Sequence, residues 1–203
     1  MKKDAERYDG FFNSFGSVLK EGIHTDWENA DRIKKLVKYP TARSDAGKKM
    51  FLEDYVKDMP SGQKDIYYLC AEREADARTA PQLEAARKHG CDVLLFCDPV
   101  DEYLCESLRE FDGKKFVDIA RGDVAFGSDQ ERESEKAANE KSAKLLQPLM
   151  DAMKKELSER VQDVRVSTRL DQSPCCLVQA ENAMPPSMVR MMRAMQQEVP
   201  EEK

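Results

Sequence analysis

Three carboxylates follow a short apolar run in the middle of the chain, where they could do chemistry. The run 93–97 precedes Asp98, Asp101 and Glu102. At the end of a strand, such carboxylates could hold a divalent metal or act as general acid and base. The same residues also suit a helix start, with Asp98 as the N-cap before Pro99 and acidic side chains in the first turn. No phosphate-binding glycine loop or nucleophile–base pair accompanies them, so we favour capping.

The cysteines and histidines do not form a metal-binding pattern. The sequence contains no C-x-x-C motif and no Cys/His cluster at zinc spacing, and neither His24 nor His89 has a second ligand nearby in sequence. We expect reduced thiols. The cysteines are Cys70, Cys91, Cys97, Cys105 and the adjacent pair Cys175 and Cys176.

A methionine-rich segment near the C-terminus is the most unusual composition in the chain. At about 100° per residue, its methionines fall within a third of a helix circumference. These are Met184, Met188, Met191, Met192 and Met195. Such a stripe is often a core face, but methionine packs adaptably and suits a surface that binds variable partners. The residues alone leave both interpretations open.

The composition excludes several classes of function. Apolar residues make up 40% of the 203-residue chain, charged residues 35%, and the net charge is −6. An acidic chain argues against nucleic acid as the main partner, because phosphate binding needs a clustered positive surface. No apolar run approaches the roughly 20 residues of a membrane span, and the N-terminus lacks the apolar core of a signal peptide. We therefore expect a cytoplasmic protein.

Three apolar runs separated by helical patterns predict the central fold. The runs are 66–70, 93–97 and 116–119. Continuous apolar runs alternating with helices are typical of a parallel βαβαβ sheet. The carboxylates and Tyr103 then lie outside the carboxyl end of the second strand, where open α/β sheets place their binding crevice. A single helix is expected between the first two strands, over 74–88, and another over 100–110.

The chain before this sheet predicts a small helical coil over residues 5–40. Gly22 is expected to end the first helix as a C′ glycine, and Trp27 to pack into the coil. The stripe Tyr8, Phe11, Phe12, Phe15, Val18 and Leu19 is expected to face inward. Residues 41–49 are predicted to be a loose connection, followed by a short helix over 52–59.

The composition changes after Arg121, which predicts a domain boundary. A leucine and methionine stripe over 145–157 indicates a helix. Alternation over 161–167 and the run 175–178 indicate two strands. The overall prediction is an α/β fold, α+β as a whole: a helical coil over 5–40, an αβα unit over 50–121 and a partial α+β domain over 126–203, with 1–125 as the first domain.

Several ordered motifs resemble the heat-shock protein 90 chaperones, and the bacterial members most closely. They are Leu52-Glu53-Asp54-Tyr55-Val56, Met59-Pro60, Gly62-Gln63-Lys64, Ile66-Tyr67-Tyr68, Asp98-Pro99-Val100-Asp101-Glu102-Tyr103 and Glu110-Phe111-Asp112-Gly113-Lys114. The resemblance covers nearly the whole chain. It implies the end of that family's middle domain followed by the start of its C-terminal domain.

The family consists of ATP-driven homodimeric chaperones, and the resemblance implies that this chain corresponds to a central part of one. The nucleotide-binding domain and the ATP-contacting arginine loop are expected before Met1, and the dimerisation helices after Lys203. These residues are therefore expected to hold no cofactor or metal and to catalyse nothing themselves, although ATP and Mg²⁺ serve the whole protein.

The resemblance also implies a client-binding role, with unfolded or partly folded proteins as partners and co-chaperones as further ones. Its residues map onto Glu102, Tyr103, Met184, Met188, Met191 and Met192. Bacterial relatives often carry tryptophan at the position of Tyr103. The alternative is a dimer-scaffold or co-chaperone segment in which the methionine face packs internally.

Overall fold

A computed structural model describes residues 4–105, 107–121, 124, 126–127, 129–167 and 170–178, and the single residues Met184, Met188 and Met192. Within these ranges the helices are α1 (Ala5–Thr25), α2 (Ala30–Lys34), α3 (Leu52–Asp58), α4 (Glu74–Arg78), α5 (Leu83–Lys88), α6 (Pro99–Leu104) and α7 (Asp129–Glu156). The strands are β1 (Lys38–Pro40), β2 (Lys49–Phe51), β3 (Ile66–Cys70), β4 (Leu94–Phe96), β5 (Glu110–Phe111) and β6 (Lys114–Asp118).

A four-stranded sheet in the order β4-β3-β6-β5 organises the chain. Strand β3 pairs in parallel with both β4 and β6, which confirms the predicted βαβαβ unit. The short β5 forms an antiparallel hairpin with β6 that the sequence did not predict. Its turn uses Asp112 at φ 52° and Gly113 at φ 72°, where glycine is unstrained and aspartate is tolerated.

Strands β3 and β4 are buried on both faces, which explains why they are continuously apolar. Side chains alternate along β3, so that Ile66 and Tyr68 face one core, which includes residues of α1 and α6. Tyr67 and Leu69 face a second core built with α4 and α5. In that second core, Ala77, Leu83 and Ala86 are buried as predicted.

Helices α1 and α2 lie in the segment predicted as a helical coil, but residues 38–40 form β1, and two further details of the coil are wrong. Helix α1 continues past Gly22 to Thr25, because the glycine is needed for packing and not for a helix end. A Cβ on Gly22 would lie 3.2 Å from Ile33 Cδ1 of α2. Trp27 does not pack into the coil, since 79% of its surface is exposed.

Three other segments differ from their predicted bounds or form. Residues 41–48 form the predicted connection, but it joins β1 to β2 as an antiparallel hairpin, and Lys49 belongs to β2. The helix predicted over 74–88 is divided into α4 and α5, because Pro81 has no amide hydrogen and disfavours a helical residue before it. Helix α6 ends at Leu104, well before the predicted residue 110.

The C-terminal part contains the predicted helix but not the predicted strands. Helix α7 includes the leucine and methionine stripe. Neither 161–167 nor 175–178 is a strand, and Leu177 is 80% exposed. A strand needs a neighbour for its backbone hydrogen bonds, and neither segment pairs with another described one. Among the described residues, no helix has the length and apolar character to cross a membrane.

Candidate functional site

Helix α6 follows β4 directly and carries the acidic residues singled out from the sequence. Its first turn is closed by a capping box, as the capping interpretation predicted. The Asp98 carboxylate accepts a hydrogen bond from the amide of Val100 at 3.4 Å. The Asp101 carboxylate accepts one from the amide of Asp98 at 3.0 Å. Pro99 occupies the first turn, where its missing amide hydrogen costs nothing.

A buried lysine from α1 binds both capping carboxylates. Lys20 Nζ lies 2.7 Å from Asp101 Oδ1 and 3.7 Å from Asp98 Oδ2. Lys20 is 5% exposed and Asp101 1% exposed. Ser17, three residues earlier on α1, donates a hydrogen bond to Asp98 Oδ2 at 2.6 Å. Helix α6 is therefore fixed to α1 by charge-assisted contacts at its N-terminal end.

The environment of this ion pair is apolar and aromatic. Burial raises the pKa of Asp101, and the nearby Lys20 ammonium opposes that rise. Lys20 Nζ also lies 4.6 Å from the centroid of the Tyr39 ring, a cation–π distance. Burial and the same carboxylates raise the pKa of Tyr39 well above its usual value. The ion pair thus compensates two charges that the core could not hold separately.

The geometry favours a structural role for Asp98 and Asp101. Their oxygens already bind backbone amides, Ser17 and the Lys20 ammonium. Within the described ranges, no group of three or more His, Cys, Asp or Glu side chains could hold a metal ion.

Tyr103 lies on the face of α6 that points away from the buried ion pair. It follows Asp101 by two residues, which turns its side chain by about 200° around the helix. Its side chain is 57% exposed, whereas the neighbouring Glu102 is half-buried. The buried Asp101 and Leu104 hold the helix, so the tyrosine ring is presented on a fixed support.

The described methionines form a second, separate set. Met188 and Met192 are helical and one turn apart, so they share a face. Met188 is 47% exposed, and Met184 and Met192 are half-buried. Met191 lies outside the described residues. The structure thus brings Glu102 and Tyr103 together on α6 and places these methionines elsewhere along the chain, after residue 178.

A further exposed aromatic stripe lies on α1. Phe11, Phe15 and Val18 recur at helical spacing and are exposed, which corrects the prediction that they face inward. The ring centroids of Phe11 and Phe15 are 5.4 Å apart. Periodicity identified the stripe correctly, but periodicity cannot distinguish a covered face from an uncovered one.

Sequence reasoning missed the role of Lys20, although a signal was present. Phe12, Gly16, Lys20 and Ile23 are the buried residues of α1 and recur at helical intervals on one face. A single lysine on an otherwise apolar helix face indicates either that its methylene groups are covered by other side chains or that its ammonium has a buried partner. Here the partners are Asp98 and Asp101.

The segment 170–178 is attached to α5 by one carboxylate. Glu84 Oε2 accepts hydrogen bonds from the amides of Asp171, Gln172 and Ser173 at 2.7, 2.9 and 3.2 Å. Its Oε1 accepts a short hydrogen bond from the Ser173 hydroxyl. The Ser173 hydroxyl and these amides lower the pKa of Glu84 to about 2. We call this contact the Glu84 clamp; the stretch that it holds leads toward the methionine set.

Comparisons with known proteins agree with this fold. The family model described as "Hsp90 protein" matches residues 1–203. The chain is 41% identical over 202 residues to the chaperone protein HtpG of Geobacter sulfurreducens, covering 100% of this chain and 31% of that protein. It is 43% identical over 198 residues to HtpG of Psychrobacter cryohalolentis, covering 98% of this chain and 29% of that protein.

A solved structure gives the same assignment for about half of the chain. The middle domain of a Plasmodium falciparum heat shock protein superposes with a TM-score of 0.51 at 35% identity, covering 54% of this chain and 46% of that one. The fold and the sequence together define an α+β chaperone domain. The chain belongs to the Hsp90 family, and its similarity is to the bacterial HtpG type. It spans about a third of the length of these curated relatives.

Proposed function

We propose that this chain is the client-binding region of an HtpG-type chaperone and holds unfolded or partly folded proteins non-covalently. The observation that carries the proposal is Tyr103, an exposed aromatic side chain on a helix whose other face is fixed by a buried ion pair. A rigid support lets the ring bind an apolar segment without first being ordered, and ordering costs reduce affinity. The Tyr103 ring can therefore contact a client without a cost for ordering the helix that carries it.

The contacts of each residue follow from its chemistry. Tyr103 offers a flat apolar face with a polar end, a combination enriched where proteins bind each other. Glu102 beside it would select clients with basic or polar residues flanking the apolar segment. Met184, Met188, Met191 and Met192 would supply a flexible apolar surface that adapts to different clients.

The expected affinity is weak, as suits a protein that must release its clients. Burying a few large side chains against an exposed segment would give a Kd near micromolar, or about −8 kcal/mol. We further propose that the whole protein couples this binding to ATP hydrolysis as a cytoplasmic homodimer. In that proposal the nucleotide and Mg²⁺ bind outside the described residues, and the residues described here bind, position and release the client.

A binding titration tests the proposal. A fluorescently labelled, permanently unfolded client is titrated with the wild-type chain and with Tyr103→Ala. Losing the ring is expected to cost about 1–2 kcal/mol, which is roughly a 5- to 30-fold rise in Kd. Trp27→Ala is the matched control, since it removes a still more exposed aromatic side chain from another part of the surface. Equal Kd values for wild type and Tyr103→Ala would refute the assignment.

A further inference from the structure

Two cysteine side chains meet behind α6, on the face of the sheet that packs against α1. Cys70 ends β3, and Cys105 is the residue after the last turn of α6. Their sulfur atoms are 3.6 Å apart and both thiols are free. Both side chains are half-buried, so the pair is close to the surface without being fully exposed. Residues 35 positions apart in the chain therefore place two thiols in van der Waals contact.

The hydrogen bonds around the pair give its two sulfurs different roles. The Cys105 thiol donates to the carbonyl oxygen of Asp101 at 3.2 Å. The hydrogen bond with Cys105, burial and the nearby carboxylates of Asp118 and Asp101 raise the pKa of Cys70 far above its usual value. Cys70 therefore stays protonated, which suits the second, resolving step of disulfide formation better than the first attack on an oxidant.

The sulfurs need only a small movement to bond. A disulfide has an S–S length of about 2.05 Å, so they must approach by roughly 1.5 Å. Cys105 lies at the end of a short helix, where the backbone can adjust more easily than in the central strand β3. The other cysteine near α6, Cys97, lies with the opposite core of the sheet, and burial raises its pKa to about 11.

We propose that Cys70 and Cys105 form an oxidation site that takes a peroxide-class oxidant and closes to an intramolecular disulfide between β3 and the end of α6. The Cys105 thiol first loses its proton, and the thiolate sulfur attacks the terminal OH oxygen of the peroxide. The O–O bond breaks, the sulfur keeps the OH group as a sulfenic acid, and the leaving hydroxide or alkoxide takes up the proton that Cys105 released, which gives water or alcohol. The sulfur of Cys70 then attacks the sulfenic sulfur. The S–S bond forms, the S–O bond breaks, and the Cys70 proton leaves with the hydroxide as water.

The disulfide would add a second attachment to the helix that carries Tyr103. In the reduced chain, α6 is held at its N-terminal end by Lys20 and Ser17. The bond would hold its C-terminal end to the central strand and close a loop containing α4, α5 and β4. Cross-linking a loop of this length restricts the unfolded chain and stabilises the folded one.

Peptide mapping of the oxidised chain tests the proposal. The double variant Cys175→Ser/Cys176→Ser removes the C-terminal thiols, and the chain is treated with millimolar hydrogen peroxide, then alkylated and digested with trypsin. Cys70 lies alone in the tryptic peptide 65–73, whereas Cys91, Cys97 and Cys105 share the peptide 89–109. We expect these peptides to be linked, with the fragment ions assigning the link to Cys105.

Thermal unfolding gives a second, independent readout. Oxidation is expected to raise the melting temperature by several degrees and to slow amide exchange in α6. Dithiothreitol should reverse both effects, and Cys105→Ser should abolish them. Cys97→Ser is the matched control and should behave as the parent does. A link from Cys70 to Cys97, or no link with the thiols merely over-oxidised, would overturn the proposal; neither result bears on client binding by Tyr103.

Discussion

Replacing Lys20 with methionine tests whether the buried ion pair holds α6. Methionine keeps most of the volume of the lysine stem, so the main loss is the ammonium 2.7 Å from Asp101. Asp101 is 1% exposed, and the ammonium that pairs with it is then removed. Breaking a buried pair on one side costs about 3–5 kcal/mol, because a charge is left without compensation in the interior. We expect a loss of free energy of unfolding in this range.

The cost should depend on pH and on the partner residue. Burial raises the pKa of Asp101 even with Lys20 present, and without the ammonium that pKa should rise further. A carboxyl with a raised folded-state pKa destabilises the fold as it ionises. The variant should therefore recover stability as the pH falls and Asp101 binds a proton. Adding Asp101→Asn to Lys20→Met should restore part of the loss even at neutral pH.

Urea denaturation followed by circular dichroism measures the total effect, and amide hydrogen exchange measures its location. The amides of α6 should lose protection before those of β3. Lys48→Met is the matched control, since Lys48 pairs with Asp45 on an open surface and its loss should leave stability unchanged. A Lys20→Met variant as stable as Lys48→Met would refute the reasoning.

Three further predictions follow from other contacts. Glu84→Gln should weaken the Glu84 clamp, because a neutral amide oxygen is a weaker hydrogen-bond acceptor than a carboxylate. The measurement is the hydrogen exchange rate of the Ser173 amide, which should rise; an unchanged rate would contradict the clamp. In the wild-type chain the pKa of Glu84 is lowered from 4.5 to about 2. The clamp should therefore be fully formed above about pH 4.5 and lost as the pH falls toward 2. The NMR chemical shift of the Ser173 amide measures this change. Leu104→Ala should lower the free energy of unfolding by about 2–5 kcal/mol, because Leu104 is fully buried. Leu145→Ala, on the open face of α7, should change the urea midpoint little. Equal losses of stability in the two variants would contradict the packing of Leu104.

The central sheet could be predicted from sequence because both of its faces are buried. Burial on both sides requires continuous apolar runs, and such runs with helical segments between them admit few topologies. The short strands β1, β2 and β5 could not be predicted in the same way. Each has two or three residues, one of them charged, so none forms a continuous apolar run.

A local sequence pattern does not show whether a helix face is covered or whether a strand has a neighbour. The apolar stripe on α1 was recognised, but its exposed members Phe11 and Phe15 carry the same pattern as a covered face. The alternation over 161–167 is typical of a strand, but a strand forms only where a neighbouring strand supplies hydrogen bonds. The local sequence pattern does not show whether such a neighbour is present. The capping role of Asp98 could be predicted, because capping depends only on residues within one turn.

Only part of the candidate site could be predicted from the sequence. The resemblance to the Hsp90 family predicts Tyr103 and the methionines as client contacts, and the structure adds that Tyr103 and Met188 are exposed. Lys20 could not be assigned from sequence because its partners Asp98 and Asp101 lie on another helix about 80 residues later. Tertiary contacts of this kind require the fold.

The most direct test of the account is client binding by a chain lacking both exposed contacts. Tyr103→Ala/Met188→Ser and the control Trp27→Ala/Leu145→Ser remove comparable exposed apolar groups from different surfaces. Titration with a labelled unfolded client should give a markedly higher Kd for the first double variant and a wild-type Kd for the second. Equal affinity of the Tyr103→Ala/Met188→Ser chain and the wild type would contradict the account.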